Sequence, residues 1–84
     1  MRICAIEVKR KLGIIYVYGP AQTTNSDLIH QFYEILYKYY YYMLDMKLKI
    51  ICCGDFNAHL DSYIPYQINL PGIFLKSFIE NTQL

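Results

Sequence analysis

The sequence has little excess of either charge. Eight lysine and arginine residues are set against seven aspartate and glutamate residues in 84 positions, which gives a formal net charge of +1. Modules that bind nucleic acid through a whole face usually carry a strong positive excess. The composition therefore excludes a globally basic polyanion-binding module, and the total charge indicates no partner.

The sequence also lacks a long uninterrupted hydrophobic run. A membrane-spanning helix needs roughly 18 or more apolar residues. The longest candidate is interrupted by four charged residues, Lys38, Asp45, Lys47 and Lys49. Near the N-terminus Glu7 breaks the apolar run that follows Arg2, whereas a secretory signal needs a longer one. We therefore expect an intracellular chain with no membrane partner.

Cysteine is scarce, with three residues in the chain. A structural zinc site needs two pairs of ligands, and a second pair at loop spacing, such as C-x2-C, is missing from the sequence. Cys52 and Cys53 are adjacent in an apolar run that is typical of a buried strand. We interpret the cysteines as reduced thiols in a core.

The N-terminal part contains two β-rich runs, Arg2–Val8 and Leu12–Tyr18. Residues 9–11, Lys-Arg-Lys, separate them, and Gly13 lies just beyond. This arrangement predicts an antiparallel hairpin. The basic triplet is interpreted as a solvated turn, with contact to phosphate as the alternative.

A helical period follows the turn-rich segment at residues 19–26. Asn25 or Ser26 is the expected N-cap, and Asp27 lies in the first turn, where a negative charge favours the helix dipole. Apolar residues at steps of three and four then predict one buried face over about five turns. They are Leu28, Ile29, Phe32, Ile35, Leu36, Tyr39, Tyr40 and Met43.

Four consecutive tyrosines, at residues 39–42, raise the alternative of a surface that stacks unpaired bases. On a helix, four consecutive side chains point around the whole circumference, so at most two share one face. We therefore favour a mixed role, partly in the core and partly on the surface.

A second strand-like run lies at residues 47–53 and ends at Gly54. The order strand, helix, strand indicates an α/β fold. Residues 55–69 are expected to form a long loop, followed by a short helix that ends near Asn81. One apolar face of this helix consists of Phe74, Leu75, Phe78 and Ile79.

The stretch with most chemical content is G-D-F-N at residues 54–57. In extended geometry Asp55 and Asn57 point to the same side, while Phe56 turns back to pack. A carboxylate can bind a hard cation or orient a water, and an amide can donate to a phosphoryl oxygen. These groups suit phosphodiester hydrolysis, although composition alone fits a simple turn equally well.

Three segments, in order along nearly the whole chain, resemble one protein family. G-D-F-N-A-H at residues 54–59 is similar to the signature of endonuclease/exonuclease/phosphatase domains, in the form carried by non-LTR retrotransposons. I-I-Y-V-Y-G-P at residues 14–20 resembles the family's strand that ends in Y-x-P. Residues 69–80, which begin N-L-P-G and end F-I-E, resemble a helix of the retrotransposon branch. The first motif is fairly specific, and the other two add weight in combination.

The resemblance implies roles for particular side chains. Asp55 would orient or activate the attacking water and hold a metal ion through water, while Asn57 and Tyr18 would contact the phosphate. Mg²⁺ or Mn²⁺ and a DNA substrate are implied for the complete domain. Relatives often have an asparagine three residues after the tyrosine, where this chain has Ala21. His59 is not the family's catalytic histidine and is interpreted as a loop or structural residue, with a substrate role as the alternative.

The resemblance also implies that these 84 residues are the central part of a larger four-layer α/β sandwich. They do not include the family's metal-binding glutamate, its accompanying asparagine or its C-terminal aspartate-histidine pair. We therefore expect this segment alone to be inactive and not to bind Mg²⁺ stably. We also expect it to expose unpaired strand edges, which favour aggregation. In an active element it would belong to an endonuclease–reverse transcriptase polypeptide that acts in the nucleus.

Functions from other classes stay open. A noncatalytic α/β interaction fragment, or a decayed element without function, would have the same sequence. Within the superfamily, a phosphatase of inositol phosphates or a lipid phosphodiesterase is compatible with the Asp55 motif. The F-I-E sequence at residues 78–80 favours the retrotransposon branch.

Overall fold

The computed structural model describes residues 1–21, 24–58 and 70–84. These segments form β1 (Arg2–Val8), β2 (Leu12–Tyr18), α1 (Ser26–Asp45), β3 (Lys49–Asp55) and α2 (Leu70–Thr82). The strands form one sheet in the order β1-β2-β3, and both helices pack on the same face of it. The predicted α/β class is confirmed in this small sheet with two helices.

β1 and β2 form the predicted antiparallel hairpin, paired from Arg2↔Tyr18 to Val8↔Leu12. The Lys11 N–H donates to the Val8 carbonyl at 3.0 Å and closes the turn. Lys9 and Arg10 have positive φ angles of 51° and 55°. A type I′ turn has positive φ at both central residues and favours Asn-Gly there. The predicted solvated turn is confirmed, and its backbone is strained.

β2 and β3 run parallel, from Leu12↔Lys49 to Tyr18↔Asp55, with α1 as the crossover between them. The strand predicted at residues 47–53 is observed two residues further along the chain, so both of its predicted ends are wrong. Lys47 has a φ of 59°, and its N–H donates to the Leu44 carbonyl at the end of α1. At the other end Gly54 continues the ladder, because its φ of 127° is accessible to glycine.

The N-terminus of α1 is as predicted, since the Asn25 side chain accepts a hydrogen bond from the Asp27 N–H at 2.7 Å. The predicted buried face is partly wrong. Leu28, Ile35 and Tyr39 are 45%, 47% and 38% exposed, because α2 covers the opposite flank of α1. The buried residues of α1 are Ile29, Phe32, Tyr33, Leu36, Tyr40 and Met43.

The aromatic residues of α1 have the predicted mixed role. Tyr40 is buried, and its hydroxyl donates to the Thr82 carbonyl at 3.2 Å. Tyr41 and Tyr42 are exposed. Tyr33, which the sequence did not place in the core, stacks on Phe74 with ring centroids 5.6 Å apart. These contacts join α1 to α2.

α2 ends at Thr82, one residue beyond the predicted end. Leu75 and Phe78 are buried as predicted and Phe74 is partly buried. Ile79, the fourth member of the predicted apolar face, is 37% exposed. No helix in the described part of the chain is long and apolar enough to cross a membrane.

The face of the sheet that lies away from the helices is uncovered. It carries exposed apolar side chains, including Ile6, Tyr16 and Ile51. Cys4 and Cys53 are exposed on the same face, whereas Cys52 is half-buried against the helices. The three thiols are free, as predicted, but the predicted burial of the cysteines is wrong for Cys4 and Cys53 because no layer covers them.

Replacing the strained turn residues, Lys9→Asn with Arg10→Gly, is expected to raise the free energy of unfolding by about 1 kcal/mol. A left-handed backbone costs ordinary L-residues about 1 to 2 kcal/mol each, and Asn-Gly adopts this turn with less strain. Urea unfolding followed by circular dichroism measures the change. Equal or lower stability than the original chain would contradict the turn geometry.

Cys52 is expected to be the last cysteine modified by iodoacetamide at pH 8. Burial, and secondarily the neighbouring Cys53, raise the pKa of the Cys52 thiol to about 11, so only about a thousandth of it is thiolate, the reactive form. Peptide mass spectrometry over a time course measures the order. Modification of Cys52 as fast as Cys4 would show that the helices do not cover this face.

Candidate functional site

The candidate site lies at the carboxyl ends of the two parallel strands. Tyr18 and Asp55 are Cα partners at the last paired position of β2 and β3. Their side chains are on the uncovered face of the sheet, and both are exposed. Ligand sites in open α/β sheets lie outside the carboxyl ends of strands. The topology therefore brings together two of the three predicted catalytic residues.

Two glycines let the strand ends approach closely. The Gly19 N–H donates to the Asp55 carbonyl at 2.6 Å. A Cβ at Gly19 would meet the backbone of Phe56, and a Cβ at Gly54 would meet the Val17 carbonyl. Larger residues at either position would push the strands apart.

A tight turn follows β3 and positions the third predicted residue. The Asn57 N–H donates to Asp55 Oδ1 at 2.9 Å, and Asn57 Nδ2 donates to the Gly19 carbonyl at 3.0 Å. The φ of Asn57 is 49°, so the predicted extended geometry from Asp55 to Asn57 is wrong. Asn tolerates this conformation, and Asp favours a local turn by accepting from the second residue on. Asn57 is nevertheless held against the end of β2.

Phe56 packs inward against the core, as predicted. It thereby separates the polar groups of Asp55 and Asn57 from the apolar interior. The six residues that line the adjoining open cleft, of about 440 Å³, are Gly54, Asp55, Phe56, Asn57, Ala58 and Leu75. Tyr18 is not among them, so it flanks the cleft through its pairing with Asp55.

Contacts among the described residues use only part of the hydrogen-bonding capacity of the site. Asp55 Oδ1 accepts from Asn57, and the other carboxylate oxygen has no partner among the described residues. One amide hydrogen of Asn57 is bonded to Gly19, and the second has no partner among the described residues. The site can thus offer a carboxylate oxygen and an amide N–H, with Tyr18 paired to Asp55 on the neighbouring strand.

Asp55 fits one position in the coordination sphere of a hard cation, because the residue is exposed and one of its carboxylate oxygens has no partner among the described residues. Mg²⁺ prefers octahedral oxygen ligands and is commonly held by one or two carboxylates with waters and substrate phosphate. The described segments contain no group of three or more His, Cys, Asp or Glu side chains placed to hold a metal ion. Asp55 therefore fits as a single ligand within a larger set.

Two sequence-based assignments have other outcomes. His59 lies outside the described residues. Ala21 is exposed and supplies no polar side chain where the resemblance expects an asparagine. Sequence reasoning missed the part played by Gly19, although its position directly after β2 was a signal that the strand ends approach each other.

Comparisons with protein-family models, curated proteins and solved structures find no match to this chain.

Gly54→Ala is expected to lower the free energy of unfolding by about 3 kcal/mol. An alanine would adopt a strained positive φ and place its Cβ against the Val17 carbonyl. Cys53→Ala is the matched control, because Cys53 is the preceding residue of the strand and is exposed. Urea titration of both variants measures the difference, and equal stability would contradict the close approach of β2 and β3.

Proposed function

We propose that this chain is the central part of a metal-dependent phosphodiesterase domain of the endonuclease/exonuclease/phosphatase type, in the retrotransposon branch, with DNA as substrate. The observation that carries the proposal is the grouping of Tyr18, Asp55 and Asn57 at the joined ends of β2 and β3. Tyr18 belongs to the Y-x-P motif, and Asp55 and Asn57 belong to the G-D-F-N motif, so two motifs that are distant in the sequence meet at one place in the fold.

The available groups suit hydrolysis of a phosphodiester. The free oxygen of Asp55 accepts a hydrogen bond from the attacking water and orients it. The second amide hydrogen of Asn57 and the Tyr18 hydroxyl donate to phosphoryl oxygens, whose negative charge grows as the water attacks. A bound Mg²⁺ or Mn²⁺ ion, with Asp55 as a ligand directly or through water, supplies further positive charge.

The uncovered face of the sheet supports a larger layered fold. A sheet buries its apolar faces against other layers, yet here the helices cover one face, and Ile6, Tyr16 and Ile51 remain about half exposed on the other. Exposed apolar patches of this kind mark surfaces that contact another part of a protein or a partner. A second sheet on this face would give the proposed sandwich.

The 84 residues alone are proposed to be inactive. Groups that activate the nucleophile, bind the metal and hold the phosphate act as one unit, and loss of part of such a unit removes most of the rate enhancement. The described residues supply one carboxylate at the site.

A noncatalytic role is the second candidate, and one observation favours it. Asp55 Oδ1 and Asn57 Nδ2 both make hydrogen bonds within the turn and to Gly19. In that case the two residues fix the end of β3 and contribute to stability without chemistry, as part of an interaction fragment or a decayed element.

A chimera tests the proposed chemistry. In it, residues 2–82 replace the corresponding segment of a complete domain of the proposed family. We expect Mg²⁺-dependent nicking of supercoiled DNA that falls at least about a hundredfold in Asp55→Ala, because a positioned catalytic group contributes roughly 10²- to 10⁴-fold. Asp45→Ala is the control, since Asp45 is an exposed acidic residue at the end of α1. The 84-residue chain is expected to show no nicking.

A folded chimera without nicking, or with equal nicking in Asp55→Ala, would contradict the proposal and favour the noncatalytic role. Nicking by the 84-residue chain that disappears in Asp55→Ala would support the chemistry and contradict the expected inactivity.

A further inference from the structure

Most of the basic residues of this chain lie at one end of the sheet. We call Lys9, Arg10, Lys11, Lys47 and Lys49 the basic end; they are five of the eight lysine and arginine residues. The turn between β1 and β2 contacts the start of β3 there, since the Lys49 N–H donates to the Lys11 carbonyl at 3.0 Å. Because β2 and β3 both run away from this end, it is opposite the candidate site.

Among the described residues, no carboxylate forms an ion pair with the basic end. All five residues are exposed. The nearest acidic residues along the chain, Glu7 and Asp45, make no ion pair with them, and the ion pair within the described segments joins His30 to Glu34. A chain with a net charge of +1 thus carries a local cluster of cations that have no acidic partner within residues 1–21, 24–58 and 70–84.

The backbone does not favour basic residues at these positions. Lys9, Arg10 and Lys47 have φ angles of 51°, 55° and 59°, which glycine and asparagine adopt at lower cost. Residues that break such local rules are commonly found at functional sites. Lys47 also lies beside the C-terminus of α1, where a cation interacts favourably with the helix dipole. Lys9 and Arg10 are therefore the stronger evidence for a functional role of the basic end.

We propose that the basic end binds the phosphate backbone of nucleic acid. The cations lie in the β1–β2 turn, between α1 and β3, and at the first residue of β3, so they fit a linear polyanion with repeated phosphates better than one isolated anion. Contacts to phosphate carry no direct sequence information, and the binding is therefore non-specific.

This contact is separate from the proposed chemistry. β2 has seven residues, and a strand rises about 3.3 Å per residue, so the basic end lies roughly 20 Å from Asp55. Binding here does not require a metal ion or the Asp55 carboxylate. The two proposals can therefore fail independently. Absence of nicking would not contradict binding at the basic end, and absence of binding there would not contradict the proposed hydrolysis.

The test is the salt dependence of binding to a fluorescent DNA duplex of arbitrary sequence, measured by anisotropy with the 84-residue chain. Each neutralised phosphate contributes about −0.9 to the slope of log K against log salt, so three to five contacts predict a slope of about −2.7 to −4.5. In Lys9→Asn with Arg10→Gly, the slope is expected to become shallower by about 1.8. The turn is less strained in this variant, so loss of binding would not reflect unfolding.

The matched control is Lys38→Gln with Lys76→Gln, which removes the same charge from exposed positions on α1 and α2. It is expected to leave the slope unchanged. The same variants in the chimera provide a second measurement in a larger fold.

Equal changes of slope in the turn variant and its control would overturn the proposal, because binding would then follow total charge. Absence of duplex binding by the unmodified chain at about 50 mM salt, where phosphate contacts are strong, would overturn it as well. So would binding to phosphatidylserine vesicles without binding to the duplex.

Discussion

The parallel pairing of β2 with β3 is the constraint on which the candidate site depends. It places Tyr18 beside Asp55, although the two residues lie in different strands on either side of the long helix α1. The pairing closes with the Gly19–Asp55 hydrogen bond of 2.6 Å. Glycine at positions 19 and 54 permits the short separation, because a Cβ at either position would meet backbone atoms of the neighbouring strand or turn. The conformation of the Asp55–Asn57 turn follows from this arrangement.

The coverage of the sheet by one helical layer explains most of the remaining burial pattern. α1 and α2 bury Ile15 and Val17 of β2, while Tyr16 and Tyr18, which alternate with them, stay exposed. The same alternation separates half-buried Cys52 from exposed Cys53. In the proposed sandwich the exposed face would be an interior. The apolar run that contains Cys52 and Cys53 is typical of a strand buried on both faces, which is why the sequence predicts both thiols in the core.

Local signals predicted much of the fold. The hairpin, the helix that begins after Asn25 and the second helix each follow from short-range periodicity and turn residues. The errors arose where distant parts of the chain decide the outcome. Leu28, Ile35 and Tyr39 satisfy the helical period, but their burial requires a neighbouring element on that flank of α1. The extended path predicted through Asn57 is wrong because Asp55 Oδ1 accepts from the Asn57 N–H and closes a turn, the alternative that the composition of residues 54–57 fits equally well. The long-range contact of the Asn57 side chain with the Gly19 carbonyl is the part that the local sequence does not reveal.

Nuclear magnetic resonance of the 84-residue chain tests most directly whether β2 and β3 bring the candidate site together. The account predicts nuclear Overhauser contacts between residues 17–19 and residues 54–57, and slow exchange of the Gly19 amide hydrogen with solvent. It also predicts a protected side-chain amide hydrogen on Asn57. If the hairpin contacts between β1 and β2 are present but those between residues 17–19 and 54–57 are absent, the grouping of Tyr18, Asp55 and Asn57 is wrong.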